Sequence, residues 1–386
     1  MVSSHDIPVA FVGGCETNEQ LYDHVTKRYP SAMCMRDLRR LEKGLRHGKI
    51  PIPQCDCIEG TCPCQSRTTL RHMQGVSNQS MANHDLFTLQ LKVIGYVLPA
   101  YVKLEMTPPD VLNYRDFQYA ERRLGHLGYA CSVVQRMPAA YCGDGTSRHR
   151  YILVGVRQDV SATAVDVTRF MSSALTPMTP RLDSPEHVPH DHWLDPSAFV
   201  PALPHQLANI NSQPRPGLHD VVDPVTWGPT SEARLIGWHG GFGKGHRVYD
   251  TNYPCPTITS FANIIILDDA CHQLRYLTIG EMARMHSFDE HTTAFLCSLP
   301  YYAASKYIAN SVPVGLLSTV YKSMYQHACE SGYIQRRNNR TVVQATYNDA
   351  TATAANESDT AMTATAAAAI EHAYHGAVDA VRDVSA

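Results

Sequence analysis

The chain has 386 residues, of which 44% are hydrophobic and 18% are charged, so it is long enough to bury a large core as one two-lobed domain or two domains. Its formal net charge of −3 excludes a global basic field, so any binding to nucleic acid must come from a local patch. No apolar run approaches the roughly 20 residues that span a bilayer, and no secretory signal opens the chain. The 12 scattered cysteines therefore favour reduced thiols in an intracellular compartment.

The first part of the chain, residues 7–158, alternates short apolar runs with helical stretches. Because apolar residues recur at helical or strand spacing, the pattern predicts strands at 7–12, 99–104 and 151–156, and helices at 18–29, 84–95 and 114–126. Strand–helix alternation of this kind predicts an α/β fold with a mostly parallel sheet covered by helices.

The sequence pattern changes after residue 158. From there to residue 256, Pro, His, Asp and Ser interrupt the regular spacing of apolar residues. The stretch IGWHGGFGKGHRV at 236–248 is glycine-rich and locally basic, which favours a loop-rich insertion or a small second lobe. Order returns with a strand-like run at 257–267 and helical runs at 278–286 and 306–327. The Ala- and Thr-rich end of the chain, 331–386, is predicted to be a mostly disordered tail.

The segment EGTCPCQS at 59–66 has three possible interpretations: a metal site, buried thiols, or a nucleophile. Its cysteines form C-x-C-x4-C-x-C, which is tighter than the two separated knuckles of structural zinc, so zinc is disfavoured. Buried thiols at a strand end suit Cys55 and Cys57. Cys64 lies in a Pro-Cys-Gln turn after a strand, and such a turn faces the carboxyl edge where open α/β sheets bind ligands.

Three further side chains are expected at the same edge of the sheet. Glu105 ends the strand after the next helix, and Arg148 and Arg150 alternate on one face at the start of another strand, TSRHRYILVGV. The predicted topology therefore gathers a thiol, a carboxyl group and two guanidinium groups.

These segments, in this order, resemble the DNA (cytosine-5)-methyltransferase family over roughly residues 9–325. That family carries a PCQ nucleophile loop, a Glu-Asn-Val strand end and a Gln-x-Arg-x-Arg strand. Here they correspond to CPCQ at 62–65, EMT at 105–107 and TSRHR at 146–150. Two later segments are also similar to family motifs: YPCPTITSFANIIILDD with RYLTIGEMARMHSF, and YIANSVPVGLLSTVY.

The resemblance implies a Rossmann-like S-adenosylmethionine-dependent methyltransferase fold. The catalytic core would occupy 1–158 and 273–330, around a smaller loop-rich target-recognition lobe at 159–272. S-adenosylmethionine is the implied cofactor, with Glu16 holding its ribose and Asp37 meeting its adenine amino group; the alternative for both is a solvated acid at a strand end. The remaining implied cofactor residues are Pro63, Asn310, Ser311 and Val312.

The resemblance also implies the chemistry. Cys64 would add to C6 of a cytosine, Glu105 would act at N3, and Arg148 and Arg150 would contact the base carbonyl and order the site. A surface basic pair is the alternative for the two arginines. Because C6 is inaccessible in a stacked duplex, the base must flip out.

Double-stranded DNA is the implied partner and the nucleus the implied location, with no metal and no membrane. The implied DNA-binding residues are Gln65, Arg67, Thr68, Arg71, Lys244, Arg247 and Thr257. A flexible loop is an equal alternative for the stretch 240–247.

Four departures from the family pattern matter. No Phe-x-Gly-x-Gly loop precedes Glu16 at the family's distance, which predicts a chain truncated before that loop and lacking its first strand. Thr107 ends the Glu-Asn-Val equivalent, as in the fungal branch linked to repeat-induced point mutation and premeiotic methylation. Thr146 replaces the Gln of the arginine motif, and Cys62 replaces the usual Pro. Two alternatives stay open: a tRNA cytosine-5 methyltransferase, and a catalytically impaired regulatory paralogue, which the missing loop favours.

Overall fold

The computed structural model describes residues 7, 10–61, 79–107, 114–201, 233–240, 246–259, 264–268 and 270–338, with backbone alone at 79–85 and 114–117. The chain forms two compact units, residues Met1–Met324 and Tyr325–Ala386. The second unit is described as far as residue 338. The predicted domain boundaries at 158 and 272 stay a prediction.

The chain begins with two strand–helix repeats: β1 (Gly13–Cys15), α1 (Glu19–Arg28), β2 (Met33–Met35) and α2 (Leu38–Arg46). The two strands pair in parallel, with Gly13 opposite Met33. A side chain at Gly13 would put its Cβ 2.4 Å from the Met33 carbonyl oxygen, so this close pairing needs glycine. The helix predicted at 18–29 is confirmed. The strand predicted at 7–12 is wrong, because residues 10–12 are not in a strand and pairing starts at Gly13.

A four-stranded sheet follows. Its elements are β3 (Cys57–Gly60), α3 (Gln79–Val97), β4 (Tyr101–Met106), α4 (Tyr114–His126), β5 (Tyr129–Pro138) and β6 (His149–Arg157). The strand order is β3-β4-β6-β5. β3 and β4 are parallel, whereas β6 runs antiparallel to both of its neighbours. The fold is α/β as predicted, but the described pairing in this sheet is mixed rather than mostly parallel.

The two faces of this sheet differ in chemistry. One face packs on α3 and α4 and is apolar, with Val102, Leu104 and Leu153 among its buried residues. Because side chains alternate along a strand, the residues between them point to the other face. That opposite face, called the charged face below, carries Glu59 of β3, Lys103 and Glu105 of β4, and Arg150 of β6.

A second sheet has the strand order β11-β10-β9-β8-β7. Its strands are β7 (Phe199–Pro201), β8 (Leu235–His239), β9 (His246–Tyr249), β10 (Ile265–Asp268) and β11 (Gln273–Tyr276). Val248, Ile265 and Leu274 form its buried centre. The region predicted to be loop-rich therefore contains most of a five-stranded sheet. The strand predicted at 257–267 is confirmed only at its end, in β10.

Four helices follow the second sheet: α5 (Ile279–Met285), α6 (Glu290–Cys297), α7 (Tyr301–Asn310) and α8 (Val314–Glu330). The helix predicted at 278–286 is confirmed. The single helix predicted at 306–327 is wrong, because Ser311 caps α7 and α8 starts only after Pro313. Proline lacks an N–H and disfavours helical backbone in the residue before it, which explains the break.

The predicted disordered tail, 331–386, is contradicted at its start, since residues 333–338 are helical. The rest of that segment lies outside the described residues. Within the described part of the chain, no helix has both the length and the apolar character needed to cross a membrane.

Candidate active site

The predicted nucleophile, Cys64, lies outside the described residues, but the strand that leads to it is well placed. Pro63, Gln65, Arg67, Thr68, Arg71 and Lys244 also lie outside them. β3 ends at Gly60, which pairs with Leu104, so it ends beside Glu105 at the same edge of the sheet. A Cβ on Gly60 would lie 1.4 Å from the end of the Gln90 side chain of α3, so a larger residue would require Gln90 to move.

Glu105 and Arg150 form a buried ion pair at this edge, between Glu105 Oε1 and Arg150 Nε. Each side chain is only 6% exposed. Their strands are antiparallel with Glu105 opposite Ile152, which places Arg150 diagonally across on the same face. The structure thus brings together two of the predicted catalytic residues.

Burial raises the pKa of Glu105 above its usual range, although the charges of Arg150 and Lys103 act in the opposite direction. A buried carboxyl group with a raised pKa retains its proton at higher pH than an exposed one. The raised pKa favours the protonated form of Glu105, which can donate a hydrogen bond, whereas an ionised carboxylate cannot.

Arg148 connects this edge to two distant parts of the chain. Its Nη2 donates to the Ala309 carbonyl at 2.6 Å, and its Nη1 lies 3.5 Å from the Ile258 carbonyl oxygen. Its Nε is buried without a hydrogen-bond partner. Because Arg148 and Arg150 are both buried, the alternative that they form a surface basic pair is wrong.

His286, at the end of α5, belongs to the same site and was not predicted from the sequence. Its Nδ1 lies 3.1 Å from Ser311 Oγ, which itself donates to the Ile308 carbonyl at 2.7 Å, so Nδ1 is the donor of the pair. Its Nε2 is buried without a partner. Burial and the charge of Arg150 lower the pKa of His286 to about 3, so the ring is neutral and Nε2 is an acceptor.

The two predicted cofactor carboxylates lie at one edge of the β1–β2 pair. Glu16 follows β1, and its N–H donates to the Met35 carbonyl at 3.0 Å. Asp37 follows β2 and caps α2 by accepting from Arg39 N at 2.9 Å. Because the strands are parallel, both acids lie at their carboxyl ends.

α7 reaches the same region through Tyr307, whose hydroxyl donates to Gln20 Oε1 at 2.8 Å and lies 3.4 Å from Asn18 Oδ1. Asn18 N donates to Glu16 Oε1 at 2.7 Å. The segment that ends in Asn310, Ser311 and Val312 is thereby held near the segment that carries Glu16, although almost 300 residues separate them.

These residues fit the nucleoside part of S-adenosylmethionine. Carboxylates accept hydrogen bonds from hydroxyl and amino groups, which are what a ribose and an adenine present. Glu16 and Asp37 are both partly exposed at their edge, so they are accessible to such groups. Within the described ranges, no three His, Cys, Asp or Glu side chains are grouped to hold a metal ion.

Two of the predicted DNA-binding residues are described, and both are exposed: Arg247 on β9 and Thr257 in the extended segment before β10. Asn310, at the end of α7, is also exposed. Neither Arg247 nor Thr257 is part of the buried Glu105–Arg150 pair. Their role in DNA binding stays a prediction.

The α/β arrangement matches the Rossmann-like fold of S-adenosylmethionine-dependent methyltransferases. Residues 6–326 match the family model for the C-5 cytosine-specific DNA methylases, and the chain belongs to that family. No match was found among curated protein sequences.

Solved structures with a similar fold include three methyltransferases. The Dnmt2 methyltransferase of S. pombe has 16% identity and a TM-score of 0.55, over 82% of this chain and 91% of that one. A DNA modification methyltransferase encoded within an E. coli prophage has 15% identity and a TM-score of 0.54, over 82% and 92%. The methyltransferase EhMeth of Entamoeba histolytica has 13% identity and a TM-score of 0.52, over 84% and 92%. At these identities the likeness shows the fold alone.

Proposed function

We propose that the chain is an S-adenosylmethionine-dependent methyltransferase that acts on C5 of cytosine in double-stranded DNA, with Cys64 as the nucleophile. The observation that carries the proposal is the buried Glu105–Arg150 pair at the sheet edge where the segment of Cys64 begins. DNA is favoured as the substrate because the family to which the chain belongs is described as specific for cytosine in DNA.

The residues have distinct roles in the proposed reaction. The Cys64 thiolate adds to C6 and forms a C–S bond, which makes C5 nucleophilic. Glu105, in its protonated form, donates a hydrogen bond to cytosine N3 and draws electron density from C6. S-adenosylmethionine supplies the methyl group that C5 takes up. Loss of the C5 proton to a base then breaks the C–S bond and returns Cys64 as the thiolate.

The arginines assist this chemistry by position. Arg150 holds the Glu105 carboxyl group at the edge of the sheet through their ion pair. Arg148 fixes the end of α7, next to the predicted cofactor residue Asn310, by its bond to the Ala309 carbonyl. Both guanidinium groups are donors, which matches the base carbonyl that the family resemblance assigns to them.

The proposal predicts that methyl transfer to DNA depends on Cys64 and Glu105. Tritiated methyl transfer from S-adenosylmethionine is measured with duplex DNA and with tRNA as separate substrates. Cys64→Ala should abolish transfer, and Glu105→Gln should slow it by about 10²- to 10⁴-fold, the usual contribution of one general acid. Cys271→Ala and the exposed Glu121→Gln are matched controls and should retain the wild-type rate.

Covalent trapping on DNA distinguishes the proposed DNA methyltransferase from a tRNA methyltransferase and from a regulatory paralogue. DNA that contains 5-fluorocytosine cannot lose its C5 substituent, so wild-type protein should form a covalent adduct that survives denaturing electrophoresis, and Cys64→Ala should not. Transfer to tRNA alone would favour the tRNA enzyme. Failure to bind S-adenosylmethionine would favour the regulatory paralogue and overturn the proposal.

A further inference from the structure

Two side chains of the charged face, Glu59 and Lys103, form a connected cluster with Tyr321 of α8 next to the candidate active site. Lys103 Nζ lies 2.6 Å from Glu59 Oε1, and the Tyr321 hydroxyl of α8 donates to Glu59 Oε2. Lys103 is 0% exposed, whereas the Glu59 side chain is 32% exposed. The cluster therefore extends from a fully buried ammonium group to a partly solvated carboxylate.

A buried lysine at the centre of β4 is costly. Removing an ammonium group from water is repaid only by good pairing, and an apolar pair of similar volume is often as stable or more stable. The neighbouring positions, Val102 and Leu104, are apolar and fully buried. Stability alone therefore gives no reason for a charged pair at this point in the sheet.

The position of the cluster suggests what it does. Lys103 and Glu105 are two residues apart on one strand, so they share a face, and Glu59 pairs with Lys103 in the register of the adjacent strand. Glu105 therefore faces positive charge from Arg150 and from Lys103, and negative charge from Glu59. His286 also lies within the influence of Arg150, but it is neutral and adds no charge.

We propose that Glu59 and Lys103 are positioning residues that set the charge balance around Glu105 and thereby the pH range in which it holds the proton used at the base. This inference rests on the proposed function, because the proton of Glu105 matters to catalysis only if Glu105 acts on a cytosine.

Tyr321 adds a mechanical link to this electrostatic role. It joins Glu59, one residue before the end of β3, to the helix that starts just after Val312. β3 leads to the segment of Cys64, and Val312 is a predicted cofactor residue. The cluster thus ties together the chain segments that carry the predicted nucleophile and part of the predicted cofactor pocket.

Opposite shifts are expected from the two charged residues. Lys103→Met removes a positive charge, so Glu105 should keep its proton to higher pH. Glu59→Gln removes a negative charge, so Glu105 should lose its proton at lower pH. At the separation of neighbouring side chains on one face, each shift should be about 0.5 to 1 pH unit. The double variant Glu59→Gln/Lys103→Met should lie between the two.

The test measures the titration of Glu105 directly and the pH profile of methyl transfer beside it. Glutamate side chains are labelled with carbon-13, and the carboxyl signal that disappears in Glu105→Gln is assigned to Glu105. Its midpoint is then followed in the wild type, the two single variants and the double variant. Tyr321→Phe, with Tyr302→Phe at a 70% exposed position as its control, tests the link to α8 with little risk to folding.

Opposite shifts in the titration of Glu105, matched by opposite shifts of the falling limb of the rate, support the proposal. Midpoints that stay within 0.2 pH units of the wild type in the folded single variants overturn it, whatever the activity. If the single variants do not fold, Tyr321→Phe decides the proposal. Without the hydroxyl group that donates to Glu59, the negative charge on Glu59 is less stabilised, so the midpoint of Glu105 should fall, and a midpoint equal to that of the wild type overturns the proposal. Shifted midpoints without methyl transfer by the wild type would contradict the proposed function and leave the electrostatic role intact.

Discussion

Asp144 lies in the turn before β6, and its fully buried carboxyl group contacts the start of helix α8. Its Oδ1 accepts from Gly315 N at 2.9 Å and its Oδ2 accepts from Leu316 N at 2.8 Å. Gly315 is required for this contact, because a Cβ there would lie 2.8 Å from both carboxyl oxygens and 2.5 Å from the Cys142 carbonyl oxygen. Asp144 therefore fixes the helix that follows the predicted cofactor residues to the turn that precedes the two predicted catalytic arginines.

Burial raises the pKa of Asp144 from 3.8 to about 7, although the two backbone donors oppose this shift. The folded protein then holds the proton at a pH at which the unfolded chain has released it. The contribution of Asp144 to stability is fully present below the unfolded pKa of 3.8 and is lost as pH rises through the folded value of about 7.

The stability of the wild type relative to Asp144→Asn should therefore fall as pH rises. Between pH 5 and pH 8 the difference in free energy of unfolding should decrease by about 2 kcal/mol, measured by urea denaturation at fixed ionic strength. Asp191→Asn, at an exposed position, is the control. A difference that is constant or grows with pH would mean that Asp144 is ionised throughout, held by its two N–H donors.

At the residue scale, sequence motifs predicted Glu105, Arg148 and Arg150, because those residue types recur at fixed spacing around a known chemistry. Asp144 and His286 gave no such signal. The sequence GDG at 143–145 has the composition of a turn, and only the folded chain brings it to a helix start that lies 171 residues further on. Likewise, Lys103 is fully buried on the face opposite α3 and α4, which strand alternation alone does not reveal.

At the scale of elements, α5 is attached to the second sheet by Arg275, which is fully buried. Its guanidinium group makes two bonds to Glu281 of α5, at 2.8 and 2.9 Å, and one to Asp268 of β10 at 2.7 Å. Glu281 also accepts from Thr278 N at 2.8 Å, which completes the capping box of α5. One arginine thus joins a strand pair to the start of a helix.

Arg275→Met should destabilise the protein strongly, because it leaves two carboxylates buried without their partner. The expected loss in free energy of unfolding is about 3–5 kcal/mol. Arg284→Met, one helical turn beyond Glu281, is the matched control: Arg284 is 38% exposed and pairs with Asp183. Its loss should be about 1 kcal/mol. Equal losses in free energy of unfolding, measured by urea denaturation, would show that burial does not determine how much these ion pairs stabilise the protein.

The elements themselves differ in how well their sequences predict them. The helix predicted at 278–286 matches α5 within one residue at each end, because Thr278 and Glu281 supply a start signal that depends only on local spacing. The helix predicted at 306–327 spans two helices, since the periodic apolar pattern continues across Pro313 while the backbone does not. The apolar run predicts the first strand at 7–12, but the structure forms it at 13–15, because residues 10–12 are not in a strand.

At the scale of the whole molecule, the candidate cofactor region is assembled from residues 16–37 and residues 310–312. Helix α1, which follows Glu16, has no buried residue, so packing of an apolar face does not hold it. It is held instead by Arg28, whose Nη2 lies 2.7 Å from Asp289 Oδ2, and by the His24 ring, whose centroid lies 4.3 Å from that of Phe295. Both partners belong to α6 or its N-cap.

No local pattern predicts this arrangement, because its partners are separated by 261 residues and by the whole second sheet. The family resemblance did predict that Glu16 and Asn310 share one pocket. A shared pocket stays a prediction. The described contacts between the two segments come from a partly exposed helix and a few polar and aromatic side chains. Such an attachment should loosen without unfolding of the rest of the first unit.

Arg28→Met should therefore weaken binding of S-adenosylmethionine while leaving global stability nearly unchanged. The Arg28–Asp289 pair is partly exposed and contributes about 1 kcal/mol, so its loss should raise the Kd about fivefold, measured by calorimetry. Hydrogen exchange should become faster in residues 19–28, because their helix opens locally. Lys27→Met, at the adjacent exposed position of the same helix, should change neither quantity. A raised Kd without faster hydrogen exchange in α1 would mean that Arg28 acts on the cofactor directly rather than through the helix. Faster exchange with an unchanged Kd would show that α1 does not hold Glu16 in its binding position.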